Sequence, residues 1–427
     1  MFPLNKTLIG YHYYPDMDHY TQRDLETWIP ILHSLGAEMV VLHGSPDIAI
    51  PEAFLTALVH EGIRPVIHIP VTLSSLTLDS VDPLLSTYSR WGITEVILGD
   101  RPNMRASWDP AEWSRTHLIQ RYVDRILPLL EAEFRHGLTP ILPPLEPGGD
   151  YWDTAFLEDS LRSMVERAEP TLLQELNLGI YAWTFGKSLE YGSGGNERWP
   201  DSQPYHTPEG SENQMGFGIP DWYRQITQST LGHSCPMIAC RGGARYSSFE
   251  GDNADGQHAA QNAGIFRLLQ GEGLCSLSML AFDHLVSSTG SVSHADAWFQ
   301  EQGIERDVVQ EIRTLAAQQI TQEPKAIQQA IPTRHIVFFP DESDDMRATL
   351  LAEAAPFLAV EKPCIVFDID AVQNCQRITI LSAQPATGSI QEKVHRSNVE
   401  VSWFDRSTIP ALNAAAQASI VEKQVQQ

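Results

Sequence analysis

The sequence predicts an α/β protein: a (β/α)8 TIM barrel carrying a small C-terminal α/β domain. Three observations predict it. Short apolar runs bounded by turn residues alternate with helical segments over the first three quarters of the chain, the pattern of a parallel sheet. The count closes at eight over roughly 320 residues, a size such barrels reach with insertions. The turn after the first run is Tyr13-Tyr-Pro-Asp-Met-Asp18. It lacks the glycines with which a doubly wound open sheet, the competing architecture, cradles a pyrophosphate.

The elements follow in order. Thr7–Pro15 reads as the first strand, its end rich in aromatics. Asp24–Leu35 has helical spacing, with Leu25, Trp28, Ile31, Leu32 and Leu35 on one face, and Gly36 closes it. Glu38–Gly44 and Arg64–Pro70 are the second and third strands, with a helix over Pro51–His60 between them. A helix over Val81–Trp91 leads to the fourth strand and its loop, Glu95–Asn103. The amphipathic stretch Leu118–Phe134 precedes the fifth strand, Thr139–Pro147, and a helix follows over Thr154–Ala168. Leu178–Thr184 is the sixth strand. A Gly/Pro/Trp-rich excursion runs from Gly186 to Pro220, and a loop this long without evident structure is usually functional. A helix over Asp221–Leu231 leads into the seventh strand, Pro236-Met-Ile-Ala-Cys-Arg-Gly-Gly-Ala244. The helix Ala259–Leu269 and the eighth strand, Leu274–Phe282, complete the series.

After Glu323 the pattern changes, so we place the barrel at 1–323 and the small domain at 324–427. His335–Pro340, Pro363–Asp368, Arg377–Leu381 and Val399–Phe404 read as strands. Leu350–Ala359 and Ile409–Val421 read as helices. This domain shows no catalytic constellation and is expected to be structural or to face a protein partner of unknown kind.

Composition bounds the function. The 427 residues include 29 basic and 54 acidic ones, a formal net charge of −25. Such a surface repels phosphate backbones and sets the chain against a nucleic-acid partner. No apolar run approaches the ~18 residues that a membrane helix needs. The N-terminus lacks a signal-peptide layout, so a cytoplasmic location is expected, with non-classical export as the alternative. The five cysteines, at 235, 240, 275, 364 and 375, include no C-x-x-C pair, which argues against a zinc ribbon or a disulfide framework.

Two short motifs stand where barrel enzymes keep their chemistry, at the C-terminal ends of strands: Gly99-Asp-Arg-Pro-Asn103 and Cys240-Arg-Gly-Gly243. With the sixth strand, Gly179-Ile-Tyr-Ala-Trp183, they resemble the clan of retaining (β/α)8 glycoside hydrolases. That clan ends its fourth strand in Asn-Glu-Pro, where Glu is the acid/base. Its seventh strand ends in a nucleophilic Glu, often followed by Gly. The register matches at Pro102, Gly242 and Gly243, but Arg101 and Arg241 stand where the resemblance calls for the glutamates. Retaining hydrolysis needs one carboxyl group to protonate the leaving oxygen and a second ~5 Å away to attack. Arginine does neither. Two guanidinium groups at the mouth would attract an anionic ligand, such as a carboxylate or phosphate on a sugar. Alternatively they pair with local acids such as Asp100 and Glu146.

The first expectation is therefore a glycosidase-like barrel that binds a carbohydrate or anionic sugar without ordinary retaining hydrolysis, and without a cofactor. The candidate binding residues are Tyr11, Tyr13, Arg101, Asn103, Tyr181, Trp183, Trp199 and Arg241, since sugar faces stack on aromatic rings and anions suit arginine. A second reading is an active glycosidase using Asp100 and Glu146, which end adjacent strands. A third is a non-catalytic scaffold whose C-terminal domain docks a partner. A metal at His12, His43 and His68 is a lesser alternative, because no H-x-H pair occurs, and so is phosphate binding by Arg241-Gly-Gly-Ala-Arg245.

Overall fold

The computed structural model describes residues 6–271, 277–287, 292–300, 304–322, 333–340, 343–361, 364–366, 375–383 and 400–414. The chain divides into two compact units, Met1–Gln322 and Glu323–Gln427.

The first unit is a barrel of eight parallel strands: β1 (Leu8–His12), β2 (Met39–His43), β3 (Arg64–Ile69), β4 (Glu95–Leu98), β5 (Ile141–Leu142), β6 (Asn177–Trp183), β7 (Met237–Gly243) and β8 (Leu277–Phe282). Their hydrogen-bonded order is β4-β3-β2-β1-β8-β7-β6-β5. The ring closes through a parallel bridge between Glu95 and Thr139, with the Thr139 N–H donating to the Thr94 carbonyl at 2.9 Å. Eight helices flank it: α1 (Gln22–Ser34), α2 (Glu52–His60), α3 (Leu78–Arg90), α4 (Leu118–Arg135), α5 (Asp153–Val165), α6 (Ile219–Leu231), α7 (Ala254–Gln270) and α8 (Asp307–Gln322). Local chemistry sets their ends. Thr21 and Asp24 form a reciprocal capping box on α1, and Gly232, at φ +82°, stops α6 in the left-handed conformation that glycine adopts without strain.

The structure departs from the sequence reading at two elements of the barrel unit. The fifth strand pairs only over Ile141–Leu142, because Pro140, Pro143 and Pro144 remove ladder donors on both sides. The eighth helix, α8, was not assigned from sequence at all. Positions 274–276 of the eighth strand lie outside the described residues.

The strands have two faces, and each side chain's face decides its use. Met39, Val41, Val66, Ile97, Ile141, Tyr181, Trp183, Ile238, Cys240, Met279 and Ala281 fill the barrel interior. Their alternate neighbours, including Ile9, Tyr11, Val40, Leu42, Ile67, Leu98, Ile180 and Leu280, pack outward into the larger core beneath the helices. The same period of two turns His12, His43 and His68 inward at the C-terminal end. In β1 the interior position before His12 is Gly10. A Cβ there would lie 2.0 Å from the Met39 carbonyl oxygen, so only glycine fits.

The second unit holds a four-stranded parallel sheet of β9 (Thr333–Phe338), β10 (Cys364–Val366), β11 (Cys375–Ser382) and β12 (Glu400–Asp405), in the order β10-β9-β11-β12. The helix read over Leu350–Ala359 is two: α9 (Asp344–Glu353) and α10 (Ala355–Glu361), separated at Ala354. Val337, Phe339, Leu350, Phe357, Leu381 and Ile409 form this unit's own core. The final helix is described over residues 409–414, and Cys275 together with positions 363, 367–368, 399 and 415–421 falls outside the described residues.

Candidate functional site at the barrel mouth

The C-terminal ends of the strands carry a continuous polar cluster. It starts at β7. Ile180 of β6 pairs with Ala239, but the next residue, Tyr181, pairs with Arg241, so Cys240 is an extra residue in the ladder. This bulge turns Arg241 to the same inward face as Tyr181, and bulges commonly re-aim a side chain in this way. Without it, the alternation that sends Cys240 inward would send Arg241 into the helix layer.

Arg241 donates from Nε to Asp283 Oδ1 at 2.7 Å, and Arg245 donates from Nε to Asp283 Oδ2 at 3.0 Å. One carboxylate, just beyond β8, thus tethers two arginines. Arg245 lies over the Trp183 ring, its guanidinium carbon 3.5 Å from the centroid, and Trp183 stacks on Tyr181 at 4.5 Å. The Nη groups of Arg241 and Arg245 make no hydrogen bond among the described residues. Both forks are tethered and oriented, with terminal donors open.

The charges set the protonation states. Burial alone would raise the Asp283 carboxyl, but Arg241, His284 and Arg245 outweigh it and hold it well below the usual carboxylate range. Burial lowers His12, with Arg241 adding to the effect, and lowers His68 and His284 to about 4. His43 is lowered too, mainly by burial. The inward histidines are therefore neutral near neutral pH and leave the arginines as the cations of the mouth. His12 has Nδ1 against the Tyr13 carbonyl at 2.9 Å, and His68 has Nε2 against that of Gly99 at 3.1 Å. Among the described residues, no group of three His, Cys, Asp or Glu side chains is placed to hold a metal ion.

The other half of the cluster comes from the loops after β4 and β5. Arg101, at φ +44° and 45 % exposed in its side chain, donates from Nε to Asp100 Oδ2 at 2.8 Å and stands 3.7 Å from Glu146 Oε2. Tyr181 donates its hydroxyl to Asp100 Oδ1. Glu146 has its carboxyl raised, by burial first and by the Asp100 charge, against the lowering influence of Arg101, Arg245 and Arg241. Its Oε2 is buried without a hydrogen-bond partner, as is Trp183 Nε1. The mouth thus contains an orphan donor and an orphan acceptor beside three guanidinium groups.

Six of the ten sequence candidates meet here: Asp100, Arg101, Glu146, Tyr181, Trp183 and Arg241. The pairing alternative holds in part, since Arg101 does meet Asp100 and Glu146. Arg241 pairs instead with Asp283.

The other four candidates are placed differently. Tyr11 and Tyr13, at 0 % and 1 % exposure, point outward from β1 and its end. Tyr11 donates to the Leu35 carbonyl at 2.9 Å, and Tyr13 packs edge-on to Trp28. The intervening residue, His12, takes the inward position. Asn103 is fully buried, and its amide is spent on the backbone. Nδ2 donates to the Glu146 and Tyr151 carbonyls at 2.8 and 3.0 Å, and Oδ1 accepts from the Glu146 N–H at 2.9 Å. It positions Glu146 and has no group left for a ligand. Trp199 packs against the outer core and donates to the Ser193 carbonyl at 3.1 Å, apart from the mouth cluster.

Arg245, Asp283 and His284 were not among the candidates. In the sequence Arg245 stands out only as the end of the Arg241-Gly-Gly-Ala-Arg245 loop. The Asp283-His284 dipeptide at the end of β8 was the one available signal for His284, whose φ is +45°.

No protein-family profile and no curated protein matches the sequence. Among solved structures, a GH5_18 protein of Bifidobacterium longum subsp. longum in complex with Manb1-4GlcNAc is similar at 14 % identity. The match covers 93 % of this chain and 96 % of that one, with a TM-score of 0.46. A GH5_18 protein of Streptomyces cattleya in complex with GlcNAc is similar at 11 % identity over 93 % and 98 % of the two chains, with a TM-score of 0.47. A beta-galactosidase of the psychrophilic Marinomonas ef1 is similar at 9 % identity over 93 % and 75 %, with a TM-score of 0.42.

Proposed function

We propose that the barrel mouth binds a carbohydrate bearing an acidic group, a carboxylate, sulfate or phosphate, and does not cleave it by ordinary double displacement. One observation carries this reading: the Nε atoms of Arg241 and Arg245 are tethered to one buried carboxylate while their Nη donors stay open. A guanidinium fork held in this way is pre-organised for a bidentate oxyanion. At the end of β7 itself double displacement would have no nucleophile, because Arg241 carries no nucleophilic oxygen and is paired with Asp283.

The test is calorimetric titration with an oligogalacturonide and with the matching neutral oligosaccharide. The acidic ligand should bind at least about tenfold more tightly, and Arg245→Met should remove about that factor, one charge-assisted contact. Equal affinity for both ligands would overturn the reading.

A second reading draws support from Glu146. A carboxyl raised by burial beside the ionisable Asp100 is the disposition of a general acid and its partner. If so, aryl-glycosides should turn over with a kcat of at least about 1 s⁻¹ and lose that activity in Glu146→Gln. No turnover above buffer would remove this reading.

A further inference from the structure

The excursion between β6 and α6 builds something of its own. Its one helical segment is the short turn Gly195–Arg198. The rest is held by side chains satisfying backbone groups. The Gly192 N–H donates to Glu212 Oε2 at 2.8 Å, and the Gly194 N–H to Asp221 Oδ2 at 2.7 Å. Ser202 Oγ donates to the Glu212 carbonyl at 2.6 Å, and Trp222 Nε1 to that of Gly192 at 2.8 Å. A long connection fixed by this many specific contacts is an ordered wall, of the kind that usually carries a function.

That wall and helices α5 and α6 enclose a cleft of about 420 Å³. None of the mouth residues Asp100, Arg101, Glu146, Arg241 or Arg245 lines it. Its lining holds five carboxamides, two tryptophans and the carboxylates Glu158 and Glu197, and no Lys, Arg or His. Glu158 is already paired with Arg162. The carboxamide of Asn196 makes no hydrogen bond among the described residues, and that of Gln203 uses one donor, on the Pro200 carbonyl. Beside the cleft stands Tyr205, 63 % exposed and held at φ +64°. Its hydroxyl accepts from the Trp152 N–H at 2.8 Å, and the two rings are 5.4 Å apart. A non-glycine residue in the left-handed region carries backbone strain, and here that strain holds a ring largely in solvent.

We infer that this cleft is a second binding site, for a neutral polyhydroxylated ligand such as an uncharged sugar chain. The absence of cations from its lining disfavours an anion. Carboxamides match the paired donor and acceptor of vicinal hydroxyls, and Trp152 with Tyr205 offers apolar ring faces for the C–H face of a sugar. The site is independent of the mouth reading and has the opposite charge preference.

The test uses the full chain with cellotetraose, β-1,4-mannotetraose and chitotetraose, read by saturation-transfer NMR and calorimetry. Tyr205→Ala and Asn196→Ala are both at exposed positions, so the fold is retained, and an unchanged melting curve checks this. At least one neutral tetrasaccharide should bind the wild type, and each variant should weaken it about tenfold. Arg245→Met, which alters only the mouth, should leave that binding unchanged. The inference is overturned if no neutral tetrasaccharide binds. It is equally overturned if Arg245→Met abolishes binding while both cleft variants retain it. Failure of oligogalacturonide binding alone would count against the mouth and leave the cleft result standing.

Discussion

Asp283→Asn tests whether one carboxylate organises the mouth. The Asp283 side chain is 2 % exposed, and it accepts Nε–H from Arg241 on one oxygen and from Arg245 on the other. An amide has one acceptor oxygen, so one of the two Nε–H groups would face an NH2 instead. Removing one partner of a buried ion pair costs about 3–5 kcal/mol. Arg241 and Arg245 retain some contact with water, at 21 % and 31 % side-chain exposure, so the lower end, about 3 kcal/mol, is expected.

For a unit of this size that loss lowers the melting temperature by about 4–5 °C. Urea unfolding followed by tryptophan fluorescence reports it, since all of the ten tryptophans except Trp403 lie in the barrel unit. The variant also leaves net positive charge at the mouth. A bound oligogalacturonide at about ten times its Kd should then restore about 1.4 kcal/mol. The pH dependence follows from sign. The folded value of Asp283 is held below its ordinary one, so its contribution is complete above the ordinary carboxylate range and fades only as pH falls through the depressed value. A loss under about 1 kcal/mol would refute the claim that this carboxylate holds the arginines, because surface pairs are worth no more than that.

Three further outcomes are expected. Glu133, fully buried on α4, accepts from the Ile141 N–H at 3.0 Å, and burial raises its carboxyl well above the usual range. The folded state therefore holds that proton longer than the unfolded chain does, and stability falls as pH rises between the two values. Glu133→Gln should flatten this fall in melting temperature, and an unchanged slope would count against it. His68 is lowered from 6.5 to about 4, so its contribution is present above 6.5 and is lost as pH drops toward 4, by about 3 kcal/mol in total. His68→Asn should reduce the acid-side slope of urea melts over that window, and an identical slope would exclude His68 as a source. Gly10→Ala places a Cβ 2.0 Å from the Met39 carbonyl oxygen and should cost about 3 kcal/mol or more by strain. A variant as stable as wild type would mean that β1 and β2 can separate there.

The barrel was legible because its causes are local. Apolar runs such as Val66-Ile67 and Val96-Ile97-Leu98, followed by amphipathic segments, report strand and helix whatever the rest of the chain does. The fifth strand was overread, since its prolines forbid most of the pairing that its apolar content suggests. The α8 helix went unassigned.

The residues of the mouth were half legible. Strand ends located Asp100, Arg101, Glu146, Tyr181, Trp183 and Arg241. The sequence by itself determined the barrel, its length, its acidic balance and the arginines near two strand ends. Which neighbours those arginines would meet was decided only in three dimensions. A single-residue bulge at Cys240 sets the face of Arg241, and strand parity hides Tyr11 and Tyr13 behind His12. Asp283 lies 42 residues from Arg241 along the chain, yet Nε and Oδ1 are 2.7 Å apart. A face changes with one residue of register, and a contact between distant segments depends on how the ring closes. Neither quantity is written in local periodicity.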